Sequence, residues 1–212
     1  MKRLFLTSQS QYVAHSIGNK LGEEVSKPAV FITTTIHDKP HSNLDWHYTN
    51  RAKLIEAGFH FDDYNIAGKS KSQIKNELAK YEIMYVEGGN SYYLLQESQK
   101  NNFGEYIKQR VASGMIYIGC SAGSVIAGPD IEPVRRAETT PLAPDLQGTK
   151  AFGIVNFVVM PHWGGEEYRN LYTEYRMEHI YNQEYPYILM SDNQYIEVVD
   201  EMIRIIDVRS EK

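Results

Sequence analysis

Two hydrophobic rhythms alternate along most of the chain: short continuous apolar runs, and stretches in which apolar residues return every three or four positions. Residues 4–7 and 28–34 are runs of the first kind, the second rich in β-branched side chains, as expected for strands buried on both faces. Between them Val13, Ile17 and Leu21 fall at i, i+4 and i+8, which predicts a helix over 11–23 with one apolar face. The same reasoning predicts helices at 46–57, 72–80, 92–99 and 103–113, and strands at 59–64, 83–86 and 115–118. Gly114 suits the left-handed position that closes a helix. Strands alternating with helices imply an α/β fold of three layers, a mainly parallel sheet with helices on both faces.

The texture changes after residue 128. Pro129, Pro133, Pro141 and Pro144 predict an irregular excursion over 129–150, which is placed to shape a substrate site. Beyond it the pattern predicts a strand at 152–160 and a helix at 166–182. A pair of antiparallel strands follows within 187–206, turning at Asp200-Glu201. No repeat, low-complexity tract or linker interrupts the 212 residues, so a single catalytic domain spanning 1–212 is expected.

Composition narrows the function classes. A net charge of −5 gives no general attraction to nucleic acid or to an anionic membrane. The start MKRLFLTSQSQ is basic, but only three apolar residues run together there, and no stretch reaches the about 20 that a membrane helix needs. One cysteine cannot form an intramolecular disulfide. A cytoplasmic protein is expected.

The candidate chemistry centres on MIYIGCSAGSVIAGP, residues 115–129. A G-x-S-x-G between a buried strand and a helix predicts a sharp turn that presents the central hydroxyl above the sheet, which makes Ser121 the candidate nucleophile. Cys120, its neighbour, points elsewhere by alternation and is expected to be a packed side chain. A serine hydroxyl requires a base oriented by a third group. His162, at the end of the apolar run VVMPH, is the candidate base. Asp192, directly after YILMS, is the candidate acid, with Glu166 and Glu167 as rivals. The tetrahedral intermediate carries a negative oxygen, for which the backbone amides of Ala122 and of Gly89, in the turn Gly88-Gly89-Asn90, are the candidate donors.

These residues carry a resemblance. YIGCSAG, preceded by YVEGGNSYYLL and followed by VVMPH and a late acidic turn, is similar to the peptidase E (aspartyl dipeptidase) and cyanophycinase family of serine peptidases, over essentially the whole chain. The resemblance implies a flavodoxin-like fold related to class I glutamine amidotransferases. It also implies Ser121 as nucleophile, His162 as base, Gly89 and Ala122 as oxyanion donors, and hydrolysis of short peptides, with aspartate first as one form. Where peptidase E has a glutamate in the late turn, this chain has Asp192. The order Ser, His, Asp differs from the Ser, Asp, His order of α/β-hydrolases, so the motif is not a lipase signature. An esterase, a cyanophycinase-like hydrolase and a non-catalytic ligand-binding homologue are the alternatives.

An acidic substrate in an acidic protein requires a local cation. Arg135 and Arg136 in the excursion, and Arg169 and Arg176 after His162, are the candidates. No cofactor is expected and no metal: His37, His41 and His47 with Asp38 and Asp45 fit no zinc spacing. Tyr168, Tyr172, Tyr175 and Tyr181 serve either in packing or in a homodimer contact.

Overall fold

A computed structural model describes residues 1–36, 44–135, 140–181 and 185–210. Seven strands form the main sheet: β1 (Arg3–Thr7), β2 (Ala29–Ile32), β3 (Phe61–Tyr64), β4 (Ile83–Val86), β5 (Ile116–Cys120), β8 (Gln194–Val199) and β9 (Met202–Asp207), in the spatial order β3-β2-β4-β5-β1-β8-β9. The first five are parallel, and β8 and β9 add antiparallel at one edge. Counted from β2, the order is the 2-1-3-4 succession of flavodoxin-like sheets, with the chain's first strand in the fifth place. A separate two-stranded parallel ladder joins β6 (Val158–Pro161) and β7 (Tyr187–Met190).

Alternation along the strands divides the core into two layers. Phe5, Phe31, Tyr85 and Ile118 face one side, where helices α1 (Ser10–Leu21) and α2 (Asp45–Glu56) cover them through Val13, Ile17, Leu21 and Leu54. Leu4, Leu6, Val30, Met84 and Tyr117 face the other, under α3 (Lys71–Glu77), α4 (Ser91–Asn101), α5 (Phe103–Ala112) and α6 (Ala122–Val125). The predicted stripe on α1 is buried throughout, and Gly114 closes α5 at φ 103°.

Three predicted elements differ. The run 152–160 is strand only from Val158. Phe152, Ile154, Val155 and Phe157 are buried, but the amides of 152–155 donate to the carbonyls of Ile126, Ala127 and Gly128 at 2.8–3.1 Å, so this segment packs as a loop on the end of α6. YILMSDNQYIEVV is two strands, because the chain leaves the β6 ladder at Met190, turns through 191–193 and enters the main sheet beside β1. The helix expected at 166–182 is segmented: a 3₁₀ turn (Glu166–Tyr168), α7 (Arg169–Leu171), a π turn (Tyr172–Arg176) and α8 (Met177–Tyr181). The described parts of the excursion, 129–135 and 140–150, hold two short 3₁₀ turns, Glu132–Val134 and Thr140–Leu142, and its ends are bridged between Asp130 and Lys150.

Candidate active site

Strand register brings distant residues to one end of the sheet. Thr7 pairs with Cys120 and Val86 with Gly119, so Ser8, Ser121 and the Glu87–Gly89 segment all emerge at the carboxyl ends of adjacent parallel strands. Pro161 pairs with Met190, which sets His162 beside the turn that carries Asp192. Ser8, Gly88, Gly89, Ser121 and His162 line a cavity of about 350 Å³ together with Trp46, Asn50, Val134, Glu167, Tyr168 and Arg176.

Ser121 sits at φ 46°, ψ −105°, a backbone conformation that side chains rarely adopt. The flanking glycines are required by contact. A Cβ on Gly123 would lie 2.1 Å from the Val86 carbonyl oxygen, and one on Gly119 2.7 Å from the Gly123 backbone. The Ser121 amide donates to Thr7 O at 2.9 Å, fixing the turn to β1. The amide of Ala122 opens α6, where the first N–H groups have no intrahelical acceptor. Asn90 caps α4 by accepting from Tyr92 and Tyr93, so the Gly88-Gly89-Asn90 turn both starts that helix and lines the cavity.

Ser121 Oγ lies 2.9 Å from His162 Nε2, and His162 Nδ1 lies 2.9 Å from Asp192 Oδ1. A carboxylate only accepts, so Nδ1 carries the proton and Nε2 of the neutral ring is free to accept the serine proton. Glu166, one rival acid, pairs with Arg169 at 2.7 Å instead. Burial pushes the Asp192 carboxyl up, but hydrogen bonds from His162 and Ser8 outweigh it and hold the group below the ordinary aspartate range. Cys120 also borders the cavity, but it is buried and packs with Phe31, Tyr85 and Ile118. Its thiol donates to Ser8 O and accepts from Asn50 Nδ2, and burial pushes its pKa up to about 11.

The profile of peptidase family S51 matches residues 4–206. The chain belongs to that family. It is therefore a serine-type peptidase. An uncharacterized peptidase of Pasteurella multocida is 32% identical over 163 residues, covering 77% of this chain and 78% of that protein. Peptidase E of a Nostoc species is 25% identical over 224 residues, covering 97% of this chain and 86% of its own. The crystal structure of a Listeria monocytogenes protein provisionally named peptidase E superposes with a TM-score of 0.83 at 26% identity, covering 98% of each chain.

Two residues of this candidate site escaped the sequence reading, and a third, Tyr168, was read only as a packing or dimer residue. Ser8 accepts the His162 backbone N–H at 2.7 Å and donates to Asp192 Oδ1 at 2.5 Å. Gln9 donates to Asp192 Oδ2 at 3.2 Å. The Tyr168 ring stacks on the His162 imidazole, centroids 4.3 Å apart and planes within 12°. The only hint of the first two was the polar run SQSQ directly after a buried strand; nothing in the sequence signalled the stacking.

The arginines separate by environment. Arg176 is 3% exposed, lines the cavity, donates to Pro161 O and stacks over Tyr172 at 4.9 Å. Arg135 pairs with Glu132 and Arg169 with Glu166, both at exposed positions. Arg136 lies outside the described residues, as do His37, Asp38 and His41. His47 is paired with Glu87 at 2.9 Å, and among the described residues no cluster of three or more His, Cys, Asp or Glu side chains is placed to hold a metal ion. Of the four tyrosines, Tyr168 and Tyr172 pack within the site, Tyr175 donates to Glu132, and Tyr181 is 78% exposed. Among the described residues no helix is long and apolar enough to cross a membrane.

Proposed function

We propose that Ser121, His162 and Asp192 are the catalytic triad of a peptidase that hydrolyses short peptides through an acyl-enzyme. The observation that carries this reading is the continuous hydrogen-bonded series from Ser121 Oγ through the imidazole to Asp192, at 2.9 Å on each side of the ring. As Ser121 Oγ bonds to the scissile carbonyl carbon, its proton passes to His162 Nε2, and Asp192 stabilises the imidazolium that results. The negative oxygen of the intermediate is received by the amides of Gly89 and Ala122. Collapse breaks the carbon–nitrogen bond and returns the proton to the leaving amine; water, activated by the same nitrogen, then releases the acyl group.

A cavity of about 350 Å³ stands near the lower end of small-molecule sites, which suits a short peptide better than an extended chain. Arg176 is the cation best situated for an acidic side chain, because it is buried and borders that cavity. Such a cation suits a substrate carboxylate, and aspartate at the first position is the form that the resemblance to peptidase E implies. We treat residues 1–212 as one catalytic domain, since both core layers are built on one sheet, working in the cytoplasm, which suits its lone buried cysteine.

A fluorophosphonate probe tests the nucleophile: the wild type should become labelled at Ser121, and Ser121→Ala should not. A chain that stays unlabelled and cleaves nothing in a short-peptide library would be a binding homologue; one that takes esters but no peptides would be an esterase.

A further inference from the structure

The peptide bond between Gly88 and Gly89 has no side chain on either flank, so rotation of its plane meets little steric resistance. The chain around it is tightly held. Gly88 N–H, which belongs to the preceding plane, donates to Glu87 Oε1 at 2.8 Å. Glu87 is fully buried and is itself held by His47 Nδ1 at 2.9 Å and Tyr85 OH at 3.2 Å. The Gly88–Gly89 plane is held by a different residue, Thr35, whose hydroxyl donates to the Gly88 carbonyl.

Thr35 is 2% exposed and presses on Gly89 from the buried side. A Cβ on Gly89 would lie 2.8 Å from Thr35 Cβ and 3.1 Å from Thr35 O, and Gly89 sits at φ 124°. In a trans peptide the C=O and the N–H point in opposite directions. A hydroxyl that draws the Gly88 C=O to the Thr35 side therefore turns the Gly89 N–H the other way, toward the cavity that Gly89 and Ser121 line together.

We propose that Thr35 is a positioning residue for the oxyanion hole: its hydroxyl fixes the Gly88–Gly89 plane in the orientation that offers the Gly89 amide to the reaction centre. The inference rests on the reading of Ser121 as nucleophile. Its physical basis is preorganisation, because a donor already aimed before the charge develops loses nothing to reorganisation during the step.

Thr35→Val keeps the side-chain shape without the O–H, and Thr35→Ser keeps the O–H. Each is to be crystallised, checked for unchanged thermal unfolding, and assayed with p-nitrophenyl acetate and its thiono analogue, whose sulfur fits an oxygen-binding hole poorly. In Thr35→Val the Gly88 carbonyl should swing toward the cavity. Its kcat for the oxoester should fall about 10- to 100-fold with KM little changed, less than the roughly 100- to 1,000-fold cost of deleting a donor outright. Its preference for oxoester over thionoester should shrink about tenfold, and Thr35→Ser should restore both. An unmoved peptide plane in the Thr35→Val crystal, or equal loss in the valine and serine variants, overturns the proposal. If the wild type does not acylate at Ser121 the serine reading fails by itself, while the crystal structure still decides whether Thr35 holds the plane.

Discussion

Ser8 Oγ lies 2.5 Å from Asp192 Oδ1, and the same hydroxyl accepts the backbone N–H of His162 at 2.7 Å. One side chain at the end of β1 thus ties together two residues that arrive from the β6–β7 ladder, and it does so where His162 holds a positive φ of 66°. The neighbouring sheets meet through this contact.

Removing that hydroxyl should destabilise the fold in a pH-dependent way. Asp192 is held below its ordinary value, about 3.9, so its contribution is fully present above about pH 4 and is lost as pH falls through the lower folded value. Ser8→Ala relaxes the depression. The variant should be less stable than wild type by about 1–2 kcal/mol at pH 7, and the gap should close as pH drops below about 4. Urea unfolding at pH 7, 4 and 2.5 measures it. A gap that does not change with pH means that the hydroxyl acts by packing alone.

Cys120 and Ser121 should separate cleanly despite being neighbours. The thiol is 2% exposed and stays protonated near neutral pH, so iodoacetamide should modify it slowly in the native state and Cys120→Ala should keep most activity. Ser121→Ala should lose probe labelling and peptide hydrolysis while unfolding at nearly the wild-type temperature. Equal loss of activity in the two variants would return the thiol to contention.

Gly123→Ala should be among the most damaging single substitutions. Its methyl group would sit 2.1 Å from the Val86 carbonyl oxygen, which is backbone and cannot swing aside. Overpacking of this kind costs about 1–3 kcal/mol, occasionally more, and here it also displaces the turn that carries Ser121. Gly148→Ala is the control, with nothing within 4 Å and only its φ of 71° to oppose it, for a cost of about 1 kcal/mol. Chemical denaturation of both variants gives the comparison; similar midpoints would show that the turn yields easily.

What could be read from sequence was whatever a local pattern determines. Val13, Ile17 and Leu21 share a buried face because helical spacing requires it, and GCSAG announces a turn because only glycine fits at 119 and 123. Ser121, His162 and Asp192 were found separately as polar residues at the ends of apolar runs, and register then brought them within hydrogen-bond distance. What was missed depends on partners remote in sequence. Ser8 acquires its role only when β1 lies between β5 and β8, and Thr35 only when β2 pairs with β4. Residues 152–157 looked like strand because burial alone produces an apolar run; the amides of 152–155 go instead to the carbonyls at 126–128.

Among the arginines, Arg176 should be the one that sets preference for an acidic peptide. It is the member of the group within the described residues that is both buried and on the cavity, whereas Arg135 and Arg169 face solvent. A substrate carboxylate brought into such a site must exchange water for a charged donor, and hydrogen bonds to charged groups are worth about 1.5–3 kcal/mol. Arg176→Met should therefore lower kcat/KM for Asp-Leu by about 10- to 150-fold and leave Ala-Leu nearly unchanged. Arg135→Met and Arg169→Met should behave as wild type on both, and Arg136→Met belongs in the same series. Because Arg176 also stacks on Tyr172 and donates to Pro161 O, the ratio of the two substrates is the quantity to compare: a purely structural loss lowers both together. If the wild type handles Asp-Leu no better than Ala-Leu, the preference for aspartate fails while the serine-peptidase assignment stands.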